Sequence, residues 1–276
     1  MNVTECSLLN TIKAADPVFG LAIIDKKLYV LRQRKQKQIY VYTGDNYDLS
    51  DDYITIPELE FDESGWNDMT ECEQEKCLFV SDFKAKCIHK VCLKEGPKVS
   101  KFAQVKYPPK GLSITPEGTL LVSCDPNKLV ELDVKTGKQV CEVDLHSDIQ
   151  YPKHAIKRED KQYLVAFDVQ NGLHRVCIVG ADGYLRHAYG GMAGSGDLQL
   201  HTPCYMALCS NDHVAVADND NGRIVLLNSA LEFVRYVLDF QEPHRLYFDK
   251  DSSRFFVGEC TNGNLKIFKV AFQLPK

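Results

Sequence analysis

Side chains suited to recognition recur at one kind of place in this sequence, just ahead of or at the start of short apolar runs. Phe19, Trp66, Lys110, Lys153, His154, Tyr205, His244 and Arg245 lie in the segments Val18-Phe19-Gly20, Gly65-Trp66-Asn67-Asp68, Tyr107-Pro108-Pro109-Lys110, Tyr151-Pro152-Lys153-His154, Thr202-Pro203-Cys204-Tyr205 and Glu242-Pro243-His244-Arg245. Aromatic and cationic residues dominate binding hot spots, and the same types stack on bases and neutralise phosphates. Arg32-Gln33-Arg34-Lys35-Gln36-Lys37 is the most basic run, and it adds Arg32 and Arg34 to the candidates. At the six run starts stand Gly20, Asp68, Gly111, His154, Tyr205 and Arg245, of which only Asp68 is a hard-metal ligand. The sequence holds no Gly-x-Ser-x-Gly elbow, no phosphate-binding Walker loop and no His-Glu-x-x-His. No catalytic residue, metal or cofactor is therefore assigned.

Eleven cysteines cannot all pair within one chain, and no Cys-x-x-Cys occurs. The nearest pairs, Cys72 with Cys77, Cys87 with Cys92 and Cys204 with Cys209, have the spacing i to i+5, which within one strand sends side chains to opposite faces. That spacing does not predict a zinc site. Free thiols and the lack of a secretory leader or an apolar run of eighteen residues point to a reducing, cytoplasmic setting with no membrane association. Lys plus Arg total 33 against 38 Asp plus Glu, a net charge of -5, which argues against nonspecific nucleic-acid binding.

The elements that must position these residues repeat. Runs ending in Val recur at Val30, Val80, Val122, Val165, Val216 and Val257, spaced by 50, 42, 43, 51 and 41 residues. Each is preceded by another strand-like segment across a turn such as Asp25-Lys26-Lys27 or Pro116-Glu117-Gly118, and followed by a third run at Ile39, Ile88, Leu129, Val176, Ile224 or Leu265. Fourth runs follow in all but the last repeat, and Ser7 to Ile12 can supply the missing one. Antiparallel meanders of four strands with a period of forty-odd residues are the units of a propeller. The expectation is an all-β, six-bladed β-propeller in one domain over 1–276. Its blades fall at about 17–56, 66–105, 109–145, 151–189, 202–238 and 243–272, with a closing N-terminal strand at 6–13.

The fifth repeat carries Tyr189-Gly190-Gly191-Met192-Ala193-Gly194-Ser195-Gly196, then Gln199-Leu200, Pro203, Val214 to Asp218, Asn221, Arg223 and Ile224. This resembles the NHL repeat, and the whole chain resembles the six-bladed NHL propeller of TRIM-NHL proteins, without their RING or B-box. The Asp that follows the Val in that pattern is kept as Asp82 and Asp218, while Arg32, Cys124 and Glu259 stand there elsewhere. The resemblance implies a recognition domain, and some NHL propellers bind single-stranded RNA.

In a propeller, the start of each inner strand and the loop between the second and third strands share one face. That places the candidates around the channel mouth, with Lys110, Lys153 and Arg245 expected to stand exposed. The face carries 12 Lys and Arg against 13 Asp and Glu, a balance of -1, with Glu58, Glu60, Asp62 and Glu63 set against the basic run. The expected function is a non-catalytic, monomeric platform for a protein or peptide, through Arg32, Arg34, Trp66, Lys110, Lys153, His154, Tyr205, His244 and Arg245. The alternative is single-stranded RNA on the same face, and the third reading is a metal-dependent hydrolase or lyase in the channel.

Overall fold

The computed structural model describes residues 3–32, 38–59, 67–170 and 172–272. These form six separate four-stranded antiparallel sheets. The inner strands are Val18–Ile24, Met69–Cys72, Pro109–Ile114, Pro152–Lys157, Pro203–Leu208 and Pro243–Asp249, and each touches the inner strand of the next sheet around a closed ring. The molecule is a six-bladed β-propeller. Two candidates, Arg34 and Trp66, and the acidic residues Glu60, Asp62 and Glu63 lie outside the described residues.

The six repeat valines, Val30, Val80, Val122, Val165, Val216 and Val257, are completely buried. Their strands read as continuous apolar runs because each blade packs a neighbour on either face, so neither face of the second strand meets water. Six hydrophobic clusters result, one for each interface between successive blades. Full burial of one such Val or Leu side chain stabilises the ring by about 1.5–3 kcal/mol. The inner strands approach so closely that a Cβ on Gly20 would sit 2.4 Å from Met69 Cβ, and one on Gly111 would sit 2.5 Å from the Lys153 carbonyl.

The sixth blade is completed from the other end of the chain, as the repeat count requires. Val3–Ile12 pairs antiparallel with Leu265–Phe272 and becomes the outermost strand of that blade. Arg32 reinforces the seam. Its Nη1 donates to the carbonyls of Asp16 and Gly263, both at 2.7 Å, joining the first blade to the linker before it and to a loop of the sixth.

The start of each inner strand differs from expectation in a way that shapes the site. The prolines at 109, 152, 203 and 243 open the strands instead of preceding them, paired with Cys124, Phe167, Asp218 and Glu259. The ladder then breaks register between Pro152 and His154, Pro203 and Tyr205, Pro243 and Arg245, and likewise between Val18 and Gly20 and between Pro109 and Leu112. Such bulges re-aim a side chain. The residues they displace include Phe19, Lys110, Lys153, Cys204 and His244.

Candidate functional site at the channel mouth

Five of the six inner strands therefore begin with a bulge, and four of the displaced side chains, Lys110, Lys153, Cys204 and His244, meet with Arg245 around a cavity of about 10 Å³. That is room for one water molecule at most.

The expectation that Lys110, Lys153 and Arg245 stand exposed is corrected. Lys110 is 4% exposed and its Nζ lies 2.6 Å from Asp125; Lys153 Nζ lies 3.1 Å from Asp168; Arg245 is 6% exposed and its Nε lies 3.2 Å from Asp68. Each cation is neutralised by a carboxylate, which is what makes its burial tolerable. In blades three and four the partners are fifteen residues apart, the lysine at the start of the inner strand and the aspartate just past or at the end of the second. Arg32 is likewise withdrawn from the surface, 1% exposed and held by backbone carbonyls.

Arg245 plugs the channel just below the mouth. Its Nε also donates to Phe19 O at 2.6 Å and its Nη2 to Asn67 O at 2.9 Å, while the guanidinium lies 5.0 Å from the centre of the Tyr205 ring. Tyr205 in turn stacks on His154 with ring centres 3.8 Å apart. Asp68, opposite, accepts the backbone N–H of Leu112 at 2.8 Å. Three candidates, His154, Tyr205 and Arg245, thus form one buried cluster with Asp68, drawn from blades two, four, five and six, with Phe19 of the first blade at its edge. Burial, only partly offset by Arg245, pushes Asp68 up to about 6. Burial and then the Arg245 charge push His154 down to about 3 and hold His244 well below the usual imidazole range, so both rings are neutral at pH 7. Asp68, the one candidate hard-metal ligand among the run starts, is occupied by Arg245. Farther along the inner strands, Tyr247 donates to Glu71 at 3.0 Å.

What the face leaves exposed was not on the candidate list. Tyr151, 45% exposed, and Leu198, 63% exposed, stand on the loops leading into the fourth and fifth blades. Tyr151 has φ of +55°, and Thr202 and Glu242 share such a positive φ, +57° and +50°, each directly before the proline that opens a strand. Non-glycine residues adopt this region rarely. The recurrence of Pro at 152, 203 and 243 marked these turns in the sequence, but not which side chain they turn outward. Lys84 and Lys86 are exposed on the loop between the second and third strands of blade two.

One of the three close cysteine pairs departs from the expected opposite-face placement. Cys72 and Cys77 flank a hairpin turn and are direct cross-strand partners on one face, not neighbours along one strand. All eleven cysteines are free.

No family model matches the chain, and no curated protein matches it. Among solved structures it is similar to virginiamycin B lyase from Staphylococcus aureus, with a TM-score of 0.66 and 13% identity over 97% of this chain and 100% of that one. It is similar to a protein of unknown function from Bacteroides thetaiotaomicron, with a TM-score of 0.69 and 11% identity over 98% and 73% of the two chains. It is also similar to the β-propeller domain of Cps50 (Swd1) from Myceliophteria thermophila, with a TM-score of 0.62 and 12% identity over 92% and 84%. At these identities the likeness is one of fold. The class is the β-propeller, and its chemistry has to be argued from this chain's own residues.

Proposed function

We propose that this propeller is a non-catalytic recognition platform of the NHL type, which binds a protein or peptide on the channel-mouth face. The observation that carries this reading is the filling of the mouth by ion pairs. Small-molecule sites in general are clefts of about 300–1,000 Å³, and the space bounded by Lys110, Lys153, Cys204, His244 and Arg245 is about 10 Å³. A lyase or hydrolase reading needs a substrate-sized opening there. The RNA reading needs a continuous run of cations free to meet phosphates, whereas Lys110, Lys153 and Arg245 each face a carboxylate of the same chain. Among the described residues of this face, Lys84 and Lys86 are two exposed charges on one loop, which do not make such a patch.

A face whose mouth cations are paired and that presents an exposed tyrosine, Tyr151, together with Leu198 suits a polypeptide partner, because aromatic side chains are enriched at protein interfaces. The eleven free thiols support placement in a reducing compartment such as the cytoplasm. Among the described residues no helix is long and apolar enough to cross a membrane.

The test is selection from a random displayed-peptide library on the purified chain, repeated with Tyr151→Ala and Leu198→Ala. The expected result is enriched peptides whose binding weakens at least tenfold in either variant. Enrichment that ignores both substitutions would move the site off this face, and enrichment of nothing would overturn the reading.

A further inference from the structure

We infer that Asp82, Cys87 and His89 form a binding site for a divalent transition metal of the zinc type. Asp82 ends the second strand of blade two (Cys77–Asp82), and Cys87 and His89 lie on the third (Cys87–Cys92). Asp82 and Cys87 are direct cross-strand partners, and His89 follows two residues on, on the same face. All three side chains are buried, none more than 2% exposed.

Two of the three donor separations match the edges of a tetrahedral metal site. His89 Nε2 lies 3.2 Å from Asp82 Oδ2 and 3.6 Å from Cys87 Sγ, and all three donors fall within 4.8 Å of one another. Zinc bonds of about 2.3 Å to sulfur and about 2.0–2.2 Å to nitrogen and oxygen give tetrahedral edges of about 3.6 Å for N to S and about 3.3 Å for N to O. The remaining pair, thiol and carboxylate, lies within 4.8 Å, against a tetrahedral edge of about 3.6 Å. Asp82 Oδ1 is engaged by the backbone N–H of Ala85 at 2.9 Å, which fixes the carboxylate so that Oδ2 faces the imidazole.

A second, independent observation comes from comparing blades. In blade five the corresponding carboxylate, Asp218, is fully buried and meets Arg223 at 2.7 Å; in blade six Glu259, also fully buried, meets Lys266 at 2.7 Å. Both carboxylates are balanced by a side chain of fixed positive charge on the third strand. Blade two has the same buried carboxylate and puts a thiol and an imidazole where the cation stands elsewhere, neither with a fixed charge. A divalent metal held by these three donors would stand where the lysine or arginine head group stands in blades five and six. Cys87 releases its thiol proton to solvent on binding, and one carboxylate, one thiolate and one neutral imidazole then balance the ion's two charges. Three protein donors leave the fourth position to a water, and the burial of all three makes this a site that pins the loop between the strands.

The test uses the full chain, stripped with chelator and titrated with Zn²⁺ by elemental analysis after dialysis, and with Co²⁺ by absorption. The expected result is one equivalent bound, with visible bands of tetrahedral cobalt and a near-ultraviolet charge-transfer band of one thiolate. Binding should weaken at least tenfold in Cys87→Ser and in His89→Gln, and persist in Cys72→Ser. Should Cys87→Ser fail to fold, the spectrum of the unaltered chain still decides. No retained metal at micromolar concentration, no thiolate band, or binding that is lost with Cys72 instead of Cys87 would each overturn the site.

Discussion

Arg245 of the sixth blade and Asp68 of the second meet at 3.2 Å inside the channel, an ion pair between residues that the chain separates by most of its length. Both are buried, so each is the condition for the other's charge. Removing one partner of a buried pair costs about 3–5 kcal/mol, because the remaining charge is stranded. Asp68→Asn and Arg245→Met should each lower unfolding stability in guanidinium by that amount, and the double variant should recover much of it. Equal and additive losses would mean that the pair contributes no coupling.

The buried His154 and the partly buried Glu71 should bend the pH profile in opposite senses. His154 is held down to about 3, so the unfolded chain takes up its proton first, and the stability this ring contributes is lost as pH falls below about 6.5. Replacing it by Phe should therefore gain on the wild type by about 3 kcal/mol between pH 7 and pH 4. Burial instead pushes Glu71 up to about 7, so the folded chain holds its proton longer and stability falls as pH rises from about 4.5 to 7. Glu71→Gln should gain on the order of 2 kcal/mol relative to wild type over that interval. Denaturation midpoints across pH 4–8 check both signs.

Arg32 should behave as a seam residue and not as a binding residue. Arg32→Met removes two short donations to Asp16 and Gly263 and leaves two carbonyls without those partners. The expected loss is about 3 kcal/mol of stability, with peptide binding on the mouth unchanged at temperatures where the variant is folded.

Retention of a random single-stranded RNA pool should be negligible even at low salt, because the mouth lysines and Arg245 are already paired. A filter-binding isotherm with a Kd below about 10 μM and a steep salt slope would restore the RNA reading.

The propeller was legible because its signal is local. Each buried Val sits in a short apolar run with a turn before it, and six copies at a near-constant period leave one architecture. The ring closure was legible by counting strands. The fate of the mouth was not. Lys110 and Lys153 read as exposed because lysine alone carries no sign of its counter-ion; the repeated fifteen-residue offset to Asp125 and Asp168 was a readable hairpin relation, but only once the second strand's end was known. No local pattern could join Arg245 to Asp68, since only closure of the ring brings them together. Asp82, Cys87 and His89 escaped for a similar reason, because counting from cysteine to cysteine overlooks a cross-strand Asp and a His two residues away.

The strand Val3–Ile12 pairs with Leu265–Phe272, so two segments separated by the other five blades must find each other. Closing a loop that long costs conformational entropy that no local contact repays in advance. Five blades can stack as the chain emerges, yet the early strand waits with its backbone donors unsatisfied until residue 272 is available. Folding of this ring should finish in a late, slow step, and that waiting edge is where an unfinished chain would join another copy.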